Sequence, residues 1–373
     1  MQKVILAANT DWYLYNFRLS LANFLKQHSL EVVLVSPPGK YAELLDASGF
    51  RWIPWQLGRQ TLAPWTEARA FWDLLRIYRK ERPHIVHHFT VKPVLYGSLA
   101  ARLLLIPAVI NSITGLGYVF LSQDKKANLL RLPVRAAYRQ ACKHPNSLAI
   151  FENANDRQVF IDHKLIALER TRLIEGVGVD TDRFYPAPEP EGTPVVVFPS
   201  RMLWDKGVGT LVEAARILRT HIPVRVALVG EPDPGNPATI TEAQLQSWVE
   251  EALVEWWRWQ EDMPAVFGKC TVVTLPSLGE GVPTALLEAA ASGRAIVTTD
   301  VPGCREVVHS GVNGLLVPPQ DAPALAEALF TLLTNPDLRE AMGIAGRQMV
   351  LEKFTNHKVN QATWEVYQEV ISG

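Results

Sequence analysis

One feature constrains this chain more than any other: the hydrophobic period switches repeatedly between two and about 3.6 residues. Short β-branched runs, K-V-I-L-A-A, E-V-V-L-V-S, H-I-V-H-H and A-V-I-N-S-I, alternate with amphipathic stretches such as F-R-L-S-L-A-N-F-L-K-Q and W-T-E-A-R-A-F-W-D-L-L-R-I-Y-R-K. That alternation predicts a parallel sheet covered by helices on both faces. A segment with four prolines and no periodicity, F-Y-P-A-P-E-P-E-G-T-P from Phe184 to Pro194, interrupts it. Beyond the interruption the alternation restarts with P-V-V-V-F-P-S, V-R-V-A-L-V-G, T-V-V-T-L-P-S, A-I-V-T-T-D and G-L-L-V-P. The expected architecture is α/β, with two Rossmann-like, doubly wound parallel-sheet domains. Their expected limits are 1–183 and 195–355, joined by a linker at 184–194, with a final helix at 356–373 packing back on the first domain. Ligands of such domains bind at the carboxyl ends of the strands.

A length of 373 residues, 48% hydrophobic and 20% charged, suits two ordinary cores. No apolar run reaches a membrane-spanning length; the richest, Leu99 to Ile110, is short and carries Arg102. The N-terminus reads as a first strand rather than a signal peptide. Cys142, Cys270 and Cys304 are too few and too scattered for a disulfide framework or a zinc site, and fit a reducing cytosol. The net charge of −1 conceals an asymmetry. Residues 1–183 carry 24 Lys and Arg against 15 Asp and Glu, a net of +9, and the remainder is at −10. Such a division points to an anionic partner for the first half.

Chemistry concentrates in the second half. Arg201 and Lys206 follow the strand V-V-V-F-P-S, at the edge where ligands bind, and two cations there suit a diphosphate. Solvated loop cations are the plainer alternative. The stretch G-E-G-V-P-T-A-L-L-E-A-A-A-S-G, Gly279 to Gly293, follows another strand. Pro283 suits a first helical turn, T-A-L-L-E-A-A-A is strongly helix-forming, and Gly293 suits the cap. Glu280 then lies just before a helix and Glu288 inside it. A helix N-terminus favours phosphate, whereas carboxylates accept hydrogen bonds from sugar hydroxyls. Cations, a helix N-terminus and two flanking glutamates together describe a site for a nucleotide sugar.

These residues resemble family 4 of the glycosyltransferases, retaining enzymes of the two-Rossmann-domain GT-B fold. The resemblance rests on Arg201 and Lys206, on E-G-V-P-T-A-L-L-E, on A-S-G-R-A-I-V-T-T-D-V-P-G-C-R-E-V-V and on N-G-L-L-V-P-P-Q-D. E-D-M-P-A-V adds to it. In the first half, H-H-F-T-V-K-P-V-L-Y-G-S-L-A-A and N-S-I-T-G-L-G-Y-V-F resemble a bacterial surface-polysaccharide subgroup. The resemblance implies that two domains face each other across a cleft and that the enzyme is a hexosyltransferase. It implies transfer of a hexose or N-acetylhexosamine from a nucleoside-diphosphate sugar, such as a UDP-sugar, to a lipid-linked glycan. Arg201 and Lys206 would hold the diphosphate, and Glu288 the ribose. Glu280, with the backbone of Gly281, Val282, Pro283 and Thr284, would face the sugar, and the base would lie against Glu255 to Met263. Arg201, Lys206 and Glu280 are the implied catalytic set, with no metal and no cofactor. Three departures from the family pattern stand out. Gly279 replaces an arginine, the first loop lacks a glycine pair, and the loop Thr114 to Gly117 lacks a histidine.

In the first half, Asn16, Thr114, Gly115, Gly117, His88 and Lys92 are candidates for the cleft. Alternation should send one of His87 and His88 inward and the other outward. Asp180-Thr181-Asp182 spells a metal signature but precedes the linker rather than ending a nucleotide-binding strand, so no metal site is expected. Lys125, Lys126, Arg131, Arg135, Arg139 and Lys143 form an acid-free basic run, with Pro133 expected to confine the helix to its later part. A solvated surface helix is one reading, and docking on an anionic membrane surface is the other. No stacking platform or recognition motif accompanies the charge, so nucleic acid is not the expected anion. The resulting expectation is a peripheral enzyme on the cytoplasmic face of the inner membrane, using a polyprenyl-diphosphate-linked acceptor. Another GT-B enzyme, such as a nucleotide-sugar epimerase, or a nucleotide-sugar-binding protein without catalysis, are the alternatives.

Overall fold

The computed structural model describes residues 1–58, 63–115 and 125–372, with the side chains of 125–130 outside that description. Gly117 and the side chains of Lys125 and Lys126 therefore lie outside the described residues. The chain divides into one unit of residues 1–177 with 356–373 and a second unit of residues 178–355.

The first unit is built on a seven-stranded parallel sheet. Its strands are β1 (Lys3–Ala7), β2 (Glu31–Ser36), β3 (Arg51–Pro54), β4 (Ile85–Phe89), β5 (Ala108–Ile113), β6 (Ser147–Phe151) and β7 (Thr171–Leu173). They lie in the order β3-β2-β1-β4-β5-β6-β7. Because helices cover both faces, the central strands bury both sets of side chains. Val4 and Leu6 of β1 pack with Leu21, Leu25, Val359 and Tyr367, whereas Ile5 and Ala7 pack with Leu74, Tyr78 and Ala100. The helix Asn356–Ser372 belongs to this unit, where Asn360 donates to Ser20 Oγ at 2.8 Å and Asn146 donates to the Val370 carbonyl at 2.8 Å.

The same two-sided burial overturns the expected split of the histidine pair. His87 is 1% exposed and His88 is fully buried, on opposite faces of β4. His87 is held between Tyr367 Oη at 2.9 Å and Ser112 Oγ at 2.8 Å. His88 sits between Tyr78 Oη at 2.9 Å and Asn111 Oδ1 at 2.8 Å. Burial lowers the basicity of both rings, that of His88 to about 4. His88 is thus a structural group of the core. The helix expected to begin after Pro133 instead runs through it, from Lys125 to Ala141. Pro133 is exposed inside this helix, where it removes one backbone hydrogen bond and its ring crowds the carbonyl of the preceding turn.

The second unit carries a six-stranded parallel sheet of β8 (Val195–Pro199), β9 (Arg225–Val229), β10 (Glu255–Arg258), β11 (Val272–Leu275), β12 (Ala295–Thr299) and β13 (Gly314–Val317). The order is β10-β9-β8-β11-β12-β13, so successive strands leave β8 first on one side and then on the other. Such a reversal opens a crevice between the loops that follow the two central strands, here β8 and β11. The proline-rich stretch Phe184–Pro194 belongs to this unit. Phe184 is buried, Arg339 pairs with Glu189 at 2.6 Å, and Arg294 donates to the Pro188 carbonyl at 3.1 Å.

A Cβ added to Gly97 would fall 2.2 Å from His88 Nε2. Gly97→Ala should therefore overpack the β4 core and cost roughly 1–3 kcal/mol. Chemical denaturation measures the loss, and an unchanged midpoint would contradict this packing.

Candidate functional site

The crevice of the second unit is assembled by loops forced into close contact. The loop after β8 places Gly207 at φ +80°, where a Cβ would meet the Pro276 carbonyl oxygen at 1.9 Å. Only glycine permits that approach. The Asp205 carbonyl then accepts from Leu278 N–H at 2.9 Å and Ser277 Oγ at 3.2 Å, which ties the β8 loop to the β11 loop. On the other side, Gly303 presses the start of the helix Pro302–Val307 against the Glu280–Gly281 backbone. A Cβ there would lie 1.5 Å from the Gly281 carbonyl oxygen.

Within this frame Lys206 and Glu280 meet. Lys206 Nζ lies 2.7 Å from both carboxylate oxygens of Glu280, with the two side chains 17% and 11% exposed. Arg201, at the tip of β8, pairs with Asp233, which comes from the loop after β9. The helix Thr284–Ala291 follows Glu280, with Pro283 at its N-cap rather than inside its first turn, and no side chain caps it. Gly293 takes φ +69° just beyond its end. Gly281, Val282, Pro283 and Thr284 form the turn into that helix, whose uncapped N–H end favours an anion.

Glu288 lies on the same helix, half-buried. Its carboxylate has no hydrogen-bond partner among the described residues. Burial pushes its pKa up to about 7, against the opposing pull of Arg183. A carboxyl group so placed leaves its oxygens open to hydrogen bonds with a ligand's hydroxyls. Trp256 Nε1 donates to the Gly230 carbonyl at 2.8 Å, and the Arg258 guanidinium lies 4.0 Å over the Trp256 ring. Trp259 remains 44% exposed beyond β10.

The first-unit candidates are less convergent. Asn16 donates to the Trp12 carbonyl at 2.9 Å on an exposed helix surface. Lys92 pairs with Glu67 at 2.8 Å and donates to the Gly58 carbonyl at 2.7 Å. Thr114 and Gly115 follow β5 as expected, and the Thr114 side chain hydrogen-bonds buried Tyr13. Arg135 and Arg139 bond within the unit, Arg135 to His163 Nε2 at 2.8 Å and Arg139 to the carbonyls of His163 and Lys164 at 3.2 Å each. Arg131 is half-buried and Lys143 exposed. Asp180 Oδ1 accepts from the N–H groups of Asp182 and Arg183, which makes the D-x-D segment a turn.

Sequence reading missed a surface on the helix Pro64–Glu81. Leu74, Tyr78 and Glu81 face the core, and the opposite pole carries exposed Trp65, Arg69, Trp72, Arg76, Arg79 and Lys80. The signal was present as tryptophan and arginine recurring at i, i+4, i+7 and i+11 on the face opposite the core.

The comparisons with known proteins accord with this geometry. Residues 193–335 match the model described as "Glycosyl transferases group 1", and residues 3–150 match "Glycosyl transferase 4-like". The chain belongs to these glycosyltransferases and has their GT-B fold. It is 27% identical over 371 residues to the N,N'-diacetylbacillosaminyl-diphospho-undecaprenol alpha-1,3-N-acetylgalactosaminyltransferase of Campylobacter jejuni, covering 96% of each chain. It is 24% identical over 360 residues to the capsular polysaccharide biosynthesis glycosyltransferase CapM of Staphylococcus aureus, covering 92% of this chain and 90% of that one. The structure of Anabaena HepE in complex with UDP and glucose superposes with a TM-score of 0.80 at 18% identity, over 99% of this chain and 100% of that one.

Glu288 titrates from about 7 when folded and 4.5 in its ordinary state, so the folded chain holds the extra proton between those values. Stability should fall as pH rises through that window, because ionisation is disfavoured only in the folded state. The advantage of Glu288→Gln over wild type should accordingly grow from pH 4.5 and level off above about 7, read from urea midpoints. Gly303→Ala should displace the Glu280 loop and lower the melting temperature, which a thermal scan would reveal.

Proposed function

We propose that this enzyme is a retaining glycosyltransferase that moves an N-acetylhexosamine or hexose from a UDP-sugar to a polyprenyl-diphosphate-linked glycan. The observation that carries the reading is the Lys206–Glu280 pair at the crevice between β8 and β11, beside an uncapped helix N-terminus, with Arg201 and Glu288 on the same loops and helix. The name of the Campylobacter relative supports a lipid-linked acceptor, and the UDP complex of the structural neighbour supports the base.

Arg201, Lys206 and the N–H groups of the Thr284–Ala291 helix neutralise the departing diphosphate, work that requires no metal. Glu288 accepts the ribose hydroxyls and Glu280 turns to the sugar. The bond between the sugar's anomeric carbon and the β-phosphate oxygen breaks, and the acceptor oxygen bonds to the same face of that carbon. The acceptor's proton passes to the leaving phosphate. A thermal-shift panel of UDP, GDP, ADP, UDP-GlcNAc, UDP-GalNAc and NAD tests the donor. At a hundred times its Kd a ligand stabilises by roughly 2.7 kcal/mol. UDP and one UDP-sugar should shift wild type, and Lys206→Ala and Glu288→Ala should lose the shift. A shift with NAD alone would overturn the reading. Donor turnover without an acceptor would indicate an epimerase, and binding without UDP release a non-catalytic protein. Because ribose hydroxyls favour ionised Glu288, UDP binding near pH 7 should release a proton, which calorimetry in buffers of different ionisation enthalpy detects.

With such an acceptor, the proposed enzyme works peripherally at the cytoplasmic face of a membrane. Among the described residues no helix is long and apolar enough to cross one. The docking surface is the Trp65–Arg69–Trp72–Arg76 pole, where indoles suit the interfacial zone and guanidinium groups the anionic head groups. Trp65→Ala/Trp72→Ala should cut flotation with phosphatidylglycerol vesicles several-fold and leave UDP binding intact. Equal flotation would move the docking surface elsewhere.

A further inference from the structure

The loop after β9 contributes a group to the nucleotide site that the sequence reading did not assign. Gly230, at φ +141°, lets that loop press on the β8 tip; a Cβ there would lie 2.1 Å from the Ser200 carbonyl oxygen. Three backbone bonds then clamp the two loops together. Met202 N–H donates to Glu231 O at 3.0 Å, Trp204 N–H to Ala238 O at 2.8 Å, and Ile240 N–H to Met202 O at 2.9 Å. Within the clamp, Asp233 N–H donates to Thr239 Oγ1 at 2.9 Å, and Asn236 N–H donates to the Asp233 carbonyl at 3.0 Å. The Asp233 side chain is 7% exposed and grips Arg201 Nη1, while the Arg201 side chain stays 46% exposed. The carboxylate is fixed and the guanidinium faces outward.

We infer that Asp233 is a positioning residue for the donor's diphosphate: it holds Arg201 by one nitrogen, so that the remaining N–H donors of the fork point into the crevice. The inference rests on the proposed nucleotide-sugar reading and deepens it. An arginine carries about two kcal/mol of rotamer freedom, and an exposed one must be ordered when an anion binds. Anchoring one end beforehand removes part of that cost, which is preorganisation in its ordinary sense. A buried carboxylate could instead act as a rival anion that the diphosphate must displace. The backbone clamp argues against this, because it keeps the Asp233 main chain beside the β8 tip. The two roles predict opposite signs.

The test is UDP binding by calorimetry to wild type, Asp233→Asn, Arg201→Gln and the double variant, with uridine binding followed by saturation-transfer NMR. Asp233→Asn should weaken UDP about tenfold and leave uridine unchanged. In the Arg201→Gln background the Asp233→Asn substitution should have no further effect, since there is no guanidinium left to orient. The double variant also removes both charges together and so guards against an unpaired buried carboxylate. Unchanged or tighter UDP binding by Asp233→Asn would overturn the inference and assign Asp233 the rival role. Equal loss of UDP and uridine would reduce it to a structural residue. Failure of wild type to bind any nucleoside diphosphate would sink the donor reading, and this inference with it. Wild-type binding with an unaffected variant sinks the inference alone.

Discussion

The active region of the second unit depends on how closely its loop tips can approach. Gly207 against Pro276, Gly230 against Ser200 and Gly303 against Gly281 bring backbone to backbone at distances that no Cβ would tolerate. Each contact joins the end of one strand to a neighbouring element, so the loops after β8, β9 and β11 behave as one body. Side chains on such loops inherit their placement from backbone packing and not from their own hydrogen bonds. That is why Lys206 and Glu280, 74 residues apart in sequence, can form a two-oxygen contact at 2.7 Å.

Charge in this region is balanced before any ligand arrives. Lys206 is offset by Glu280 and Arg201 by Asp233, so the four side chains sum to zero. Lys206, largely buried, would carry a desolvation penalty without a partner, and Glu280 relieves it. A diphosphate entering this region must therefore gain from geometry as well as charge, by adding hydrogen bonds at the free end of Arg201 and at the uncapped helix N-terminus. Both carboxylates sit on loops fixed by backbone contacts, Glu280 under Gly303 and Asp233 beside the β8 tip.

Much of this was legible in the sequence because parallel sheets impose strong periodicity. The strand runs and the placement of Glu280 before a helix and Glu288 inside it were readable from local patterns. The histidine pair was misread because alternation was taken to mean one wet face, and a central parallel strand has none. The linker was read as a boundary because prolines forbid regular structure. Yet Glu189 and Pro188 tie that segment to Arg339 and Arg294, partners more than a hundred residues away that no local signal reveals. Asp233 escaped notice for the same reason. Its role lies in a contact across 32 residues, created by a glycine whose neighbour is visible only in three dimensions.

The two sheets share one strand order, since β3-β2-β1-β4-β5-β6 and β10-β9-β8-β11-β12-β13 are the same arrangement. They use it differently. In the second unit the crevice beside the central strand gathers Arg201, Lys206 and Glu280. The corresponding place in the first unit, beyond β4, holds Thr90 at φ +69°, its hydroxyl buried with no partner among the described residues. A β-branched residue at positive φ is costly and persists only where surrounding structure enforces it. The neighbouring polar groups His87, His88 and Asn111 are turned inward and satisfied by one another or by Tyr78, Tyr367 and Ser112. One copy of the topology thus spends its polar residues on a rigid core, and the other projects them at a crevice. The proposal of nucleotide chemistry for the second copy draws on that difference in where the charges point.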